Sequence, residues 1–251
     1  MFRLVAGLAV AIAAHSQGFE VASVKIHLDQ GRRARDCAIE PGRIRCLDAT
    51  LGEYIMMAYS VKRYQISGPS WIVSQSSSRT YDIVANVGTA VPQAGVKLRL
   101  GPLLLERFHL TFHRETRELP VFALTVDRNG PKFKEPGSGG EKRISPDGNG
   151  GIAFEHWTME DLADWLTVLP SMSQPVVNQT GLPGSFSFDA NLFGLDKGIS
   201  DGDLKRAMIA MDAPGTLRAT LPEQLGLRLE ARKTTMEMIV IDSAEKTPTE
   251  N

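Results

Sequence analysis

The stretch Gly42–Leu51, GRIRCLDATL, falls over Gly150–Met159, GGIAFEHWTM, when the chain is slid along itself. Thr50 and Thr158 then become equivalent helix starts, each with an acid three positions on, Glu53 and Asp161. A Thr hydroxyl takes an orphan backbone N–H at a helix start, and the acid returns a bond or complements the positive helix end. Apolar residues follow at helical spacing, Leu51, Tyr54, Ile55, Ala58 and Tyr59 in one copy and Met159, Leu162, Ala163 and Leu166 in the other. Both stretches are therefore predicted to be core helices.

Working outward, each helix is followed by a Gly/Pro-containing loop, Ser67–Pro69 or Thr180–Gly184, and then by a strand, Tyr81–Val87 or Ser187–Leu192. Further on, Glu106, Phe108, Leu110 and Phe112 lie over Glu223, Leu225, Leu227 and Leu229, and Val121, Phe122 and Leu124 over Met238, Ile239 and Ile241. The alternation over Phe108–His113 and Leu225–Glu230 has the period of a half-buried strand, and the apolar runs beyond are expected as hairpin partners. The predicted fold is α+β, with two pseudo-repeated units of hairpin, helix, strand, short helix and hairpin forming one body.

The spacing between equivalent residues changes from element to element, so insertions fall in loops, the largest over Phe193–Pro214. Met1–Phe2–Arg3, an apolar run from Leu4 to Ala14 and the small residues ending at Ser16 have the plan of a secretory signal. The apolar run is shorter than the ~20 residues a permanent membrane helix needs. The expected divisions are a signal peptide over 1–16, a first repeat with an N-terminal strand over 17–136, a linker over 137–145, a second repeat over 146–243, and a frayed tail over 244–251. Export to the periplasm or the medium follows, with no stable membrane span after cleavage.

Lys and Arg together number 28 and Asp and Glu 29, without long runs of one sign. That balance argues against nucleic acid as a partner, since phosphate binding needs a basic surface. The two cysteines, Cys37 and Cys46, flank Pro41-Gly42. A strand, a Pro-Gly turn and a returning strand would set the sulfurs opposite each other, and disulfides persist in exported proteins. The alternative is two free buried thiols.

His109, Thr111 and His113 alternate on a predicted strand and would share one face, yet their equivalents Gly226, Arg228 and Glu230 have no ligand chemistry. No metal site and no cofactor are expected. Ser243-Ala-Glu-Lys246 fits the Ser-x-x-Lys pattern of penicillin-recognising enzymes, but it lies at the chain end without the companion motifs and reads as chance. Asn178-Gln-Thr180 is formally a glycosylation acceptor, and its better reading is a turn. Trp71, beside Gly68-Pro69, and Trp157 are the candidates for lining a recognition surface. The alternative for Trp71 is that it covers the core.

Several motifs occur together in one order: Phe19–Lys25, Ile66–Trp71 with Tyr81-Asp-Ile, Leu104–Leu110 with His113-Arg-Glu, Val176–Leu182, and Glu223–Leu227 before Val240-Ile-Asp242. In these the chain resembles the soil-associated family of exported bacterial proteins of unknown function. The resemblance implies no activity, substrate or catalytic residue. Related domains are attached to membrane metallopeptidases of the BlaR/MecR type, which implies a sensing or binding role in the envelope. Asn178 stands where the family pattern has Asp, removing a carboxylate from that position. The expectation is an exported protein that binds an envelope ligand or partner without catalysis. The other two hypotheses are a hydrolase using groups such as Asp82, Glu106 or His156, and a purely structural secreted protein.

Overall fold

The computed structural model describes residues 18–28, 36–74, 79–88, 91–133, 140–193, 202, 206 and 213–249. The expected signal peptide, most of the Phe193–Pro214 insertion and residues 137–139 of the expected linker lie outside the described residues. The protein is α+β and divides into two compact units, Met1–Thr116 with Glu237–Asn251, and Arg117–Met236. Among the described residues no helix is long and apolar enough to cross a membrane.

The first unit is built on β1 (Val21–Ile26), β2 (Asp36–Glu40), β3 (Arg43–Ala49) and β5 (Tyr81–Asn86), an antiparallel sheet in the order β1-β5-β3-β2. Ile44, Cys46, Tyr81, Ile83 and Ala85 alternate onto one face and are buried with α1 (Leu51–Tyr59) and α3 (Gln93–Arg107). α1 starts where the sequence indicates: Glu53 N donates to Thr50 Oγ1 at 3.3 Å, and Thr50 N to Glu53 Oε2 at 2.8 Å. It stops at Ser60, whose φ of 53° is left-handed. Tyr54 aims its hydroxyl at the carbonyls of Cys46 and Tyr81, 3.0 and 2.9 Å away, and so fastens the helix to β3 and β5. The backbone of α2 (Ser70–Val73) crosses α1 at Gly52, where a Cβ would stand 2.2 Å from Ile72 O. Only glycine fits there.

In the second unit β7 (Arg143–Pro146), β8 (Ile152–Thr158) and β10 (Ser185–Ala190) form an antiparallel sheet in the order β10-β8-β7. α4 (Met159–Thr167) begins on the matching capping box, with Asp161 N on Thr158 Oγ1 and Thr158 N on Asp161 Oδ2, both at 3.0 Å. Its apolar face joins Phe154, Phe186, Phe188 and residues of α5 (Ala213–Gln224) in one core. Two short strands pair in parallel with long ones: β4 (Ile66–Ser67) with β11 (Leu227–Ser243) at Ile239, and β9 (Val176–Asn178) with β6 (Thr111–Val126) at Phe122.

β6 and β11 correct the expected closing hairpins. Each is one continuous strand, and both unit boundaries fall inside them. The reason is turn chemistry: neither His113–Leu119 nor Arg228–Glu237 contains a Gly, Asn or Pro that could reverse the chain. Phe108, expected in the strand, is instead the C-cap of α3, and that helix is longer than the short one predicted. Nor do residues 244–249 fray. Glu245 N donates to Phe108 O at 2.7 Å, Thr249 N to Arg107 O at 2.8 Å, and Pro248 is buried. Polar composition suggested a loose end, but the backbone bonds hold it.

Candidate functional site

Groups that could carry chemistry stand at the strand-to-helix corners. In the first unit the β3–β5 register slips between Cys46 and Ala49, and Asp48 takes the left-handed φ of 56°. Such a bulge re-aims the chain, and the N–H it frees needs a partner. Asp82 Oδ1 supplies it, accepting from Asp48 N at 2.9 Å, and the same oxygen lies 2.8 Å from His27 Nδ1. The side chains of His27 and Asp82 are 21 % and 29 % exposed, so a carboxylate-oriented imidazole stands at a partly open corner. A carboxylate on one ring nitrogen fixes the orientation of the ring.

The second unit has the same bulge without that chemistry. The β8–β10 register slips between Phe186 and Phe188, His156 takes φ 55°, and its N–H goes to Ser187 Oγ at 3.1 Å. The His156 ring lies flush on Gly140, where a Cβ would come within 1.8 Å of Nε2. His156 and Asp82 therefore belong to separate corners in separate units. Glu106 joins neither: it is 69 % exposed and lies 3.6 Å from Arg107.

His109, with φ 44°, precedes β6 and so does not share the strand face expected with Thr111 and His113. Each imidazole has its own carboxylate, His109 Nδ1 with Glu245 Oε1 at 3.0 Å and His113 Nδ1 with Asp242 Oδ1 at 2.8 Å. Among the described residues no three His, Cys, Asp or Glu side chains converge as a metal site would require. Ser243 bonds to Thr111 at the end of β11, and Lys246 sits with its ammonium 5.9 Å from the Trp71 ring, so the Ser-x-x-Lys pair lies on no helix. Asn178 Oδ1 accepts from Thr180 N at 3.0 Å, which makes the turn that the sequence suggested.

The two tryptophans differ. Trp71 is half-buried in α2 under Lys246 and packs beside the first core. Trp157 is only 6 % exposed; Nε1 donates to Arg143 O at 2.6 Å, and Phe154 and Trp165 meet its ring edge to face. The bulge turns residue 157 inward, so its ring forms part of the core and offers almost no surface. Cys37 and Cys46 are register partners with Cα atoms 3.9 Å apart, at disulfide distance. Tyr81 was not singled out in the sequence. Burial pushes its phenol up to about 12 against the opposing pull of Arg79, and its hydroxyl donates to Lys246 O at 2.8 Å, holding the chain end.

Also missed was an edge. β1 covers the outer side of β5, whereas no described strand covers the outer side of β10. The signal was present as an extended apolar-polar run, Val21–Ile26, before the first hairpin, with no like run just before Arg143.

Among curated proteins and among solved structures nothing matches the chain. A family model does match, over residues 52–244, most of the length: the chain belongs to the family described as protein of unknown function, DUF3738.

Proposed function

We propose that this protein is an exported envelope protein that binds a ligand or partner and does not transform it, on a scaffold made by duplicating one unit. The observation that carries this is the pair of bulge corners. The N–H freed at Asp48 is taken by a carboxylate, Asp82, and the N–H freed at His156 by a hydroxyl, Ser187. The shared task is holding the strand-to-helix corner, and in the second unit a hydroxyl takes it in place of an acid. Asp82 is thereby accounted for by folding, and the duplication by two capping boxes that follow two such bulges. Export rests on the Leu4–Ala14 run and on a cysteine pair suited to an oxidising compartment.

A second reading has one observation in its favour, the 2.8 Å contact between His27 and Asp82, which a hydrolase could use as a general base. The two readings separate with mature protein and its Asp82→Asn variant. Both are assayed for hydrolysis of ester, peptide and peptidoglycan substrates, and for equilibrium binding to peptidoglycan fragments and peptides. Saturable binding without turnover is expected, with Asp82→Asn lowering stability only. Turnover that disappears in a folded Asp82→Asn protein would establish the hydrolase.

A further inference from the structure

We propose that the Cys37–Cys46 pair is a modification site for small thiols, at which an external thiol attacks Cys37 and releases Cys46 as a thiol inside the core. The proposal rests on the two sulfurs being joined, and is independent of what the protein binds elsewhere. The pair sits asymmetrically in the sheet. Cys37 belongs to β2, the last strand in the order β1-β5-β3-β2, and is exposed, whereas Cys46 in β3 is 0 % exposed. Cys46 is also the anchored partner. It is paired with Cys37 on one side and Ile83 on the other, and its carbonyl accepts the Tyr54 hydroxyl at 3.0 Å.

Which sulfur reacts follows from the geometry of exchange. A thiolate attacks one sulfur from the side opposite the sulfur that leaves, so access on that side decides the site. Register places Cys37, Cys46, Ile83 and Val24 in one row across the sheet. Beyond Cys46 the row continues into Ile83, which is 0 % exposed, so an incoming thiol would have to pass through the core. Beyond Cys37 the row leaves the sheet. Met57 Sδ of α1 lies 3.8 Å from Cys37 Sγ, which sets that sulfur at the rim between the outer strand and the helix. Exposed disulfides are the ones that exchange readily.

The step balances without a further reagent. A small thiol loses its proton, its sulfur bonds to Cys37 Sγ, and the bond between the two cysteines breaks. Cys46 leaves with the electron pair and takes up the proton. One disulfide replaces another, and a second thiol can later release the adduct as a small disulfide. A thiol shut in apolar surroundings is slow to ionise and therefore slow to return the attack, so the adduct persists long enough to isolate. The other β2–β3 pairs, from Asp36 with Leu47 to Glu40 with Arg43, and the Tyr54 bond to β3 stay in place. Modification therefore acts on the outer strand and leaves the core standing.

The probe is reduced glutathione, added in excess to native, oxidised mature protein in mildly alkaline buffer and quenched at short times with N-ethylmaleimide in acidic denaturant. Trypsin separates the two sulfurs, because cleavage after Arg43 and Arg45 puts Cys37 and Cys46 in different peptides. Mass spectrometry should find glutathione on the Cys37 peptide at least about tenfold above any on the Cys46 peptide, with maleimide on Cys46. Single variants give the same answer by another route. With oxidised glutathione, native Cys46→Ser should be modified at least about tenfold faster than native Cys37→Ser, and urea should abolish the difference. Equal adducts, or adducts on Cys46, overturn the proposal. So does a wild-type protein that forms no adduct until urea is added, which would make the bond purely structural, and so do two free thiols in the unreduced exported protein. If either single variant fails to fold, the wild-type peptide map decides alone.

Discussion

Replacing Asp161 by Asn tests how much of the second unit rests on one carboxylate. Asp161 accepts from the N–H and the hydroxyl of Thr158, at 3.0 and 2.6 Å, and from Lys142 Nζ at 2.6 Å. Burial alone would raise its pKa, but these hydrogen bonds and the Lys142 charge outweigh burial and hold it below the usual carboxylate value. Asn keeps an acceptor for the Thr158 N–H and loses the charge. The loss comprises a helix-end interaction of ~0.3–1 kcal/mol and an ion pair of similar size. With the Asp161 side chain 26 % exposed and Lys142 half-exposed, the sum is discounted for screening to about 1 kcal/mol at pH 7, or about 2–4 °C in Tm. A group whose folded pKa is depressed contributes stability that is present above its unfolded pKa, about 3.9 for Asp, and lost as pH falls through the folded value. The gap between wild type and Asp161→Asn should therefore be constant from pH 7 to about 5 and close below about 4. Urea unfolding across that range reads it by tryptophan fluorescence. The chain has three Trp, so a Trp71→Phe background leaves Trp157 and Trp165, both in the second unit, as reporters. A gap that is absent at pH 7, or that persists unchanged at pH 3, would refute the reasoning.

Two further outcomes follow from the first unit. Gly52→Ala would stabilise an ordinary helix by roughly 0.5–1 kcal/mol. Here the added carbon meets the backbone of Ile72, which cannot swing aside, so the variant should instead lose about 2 kcal/mol in urea unfolding. Thiol labelling of unreduced exported protein in denaturant should find no free thiol and, after reduction, two. With nine residues of separation the Cys37–Cys46 link should contribute about 2–3 kcal/mol, measured against a Cys37→Ser/Cys46→Ser double variant.

How much could be read in the sequence depended on whether a feature is local. Thr50 and Thr158 announce their helices because a capping box is complete within four residues, and the Cys37–Cys46 register needs only the turn between the strands. The closing strands were misread because each joins a polar middle to apolar ends, which looks like two strands unless the missing turn residue is given weight. Trp157 was misjudged for a different reason. A bulge shifts the inward-outward alternation by one residue, and the residue that adopts the left-handed φ is His156, not a glycine that would have marked it. The chain end was misread from composition, since its bonds to Arg107 and Phe108 pass through backbone atoms that carry no side-chain signature.

The corners also show what the two units hold in common. At the bulge Asp82 answers to Ser187, in the capping box Glu53 answers to Asp161, and beside the corner Tyr81 answers to Phe186. In each case the geometry recurs while the chemical type is free to change, as expected of groups selected to satisfy a backbone donor or fill a core position. A catalytic acid would not tolerate exchange for a hydroxyl. β1 marks the opposite case, because there the geometry itself differs: one unit has its edge strand in place, and the described part of the other does not.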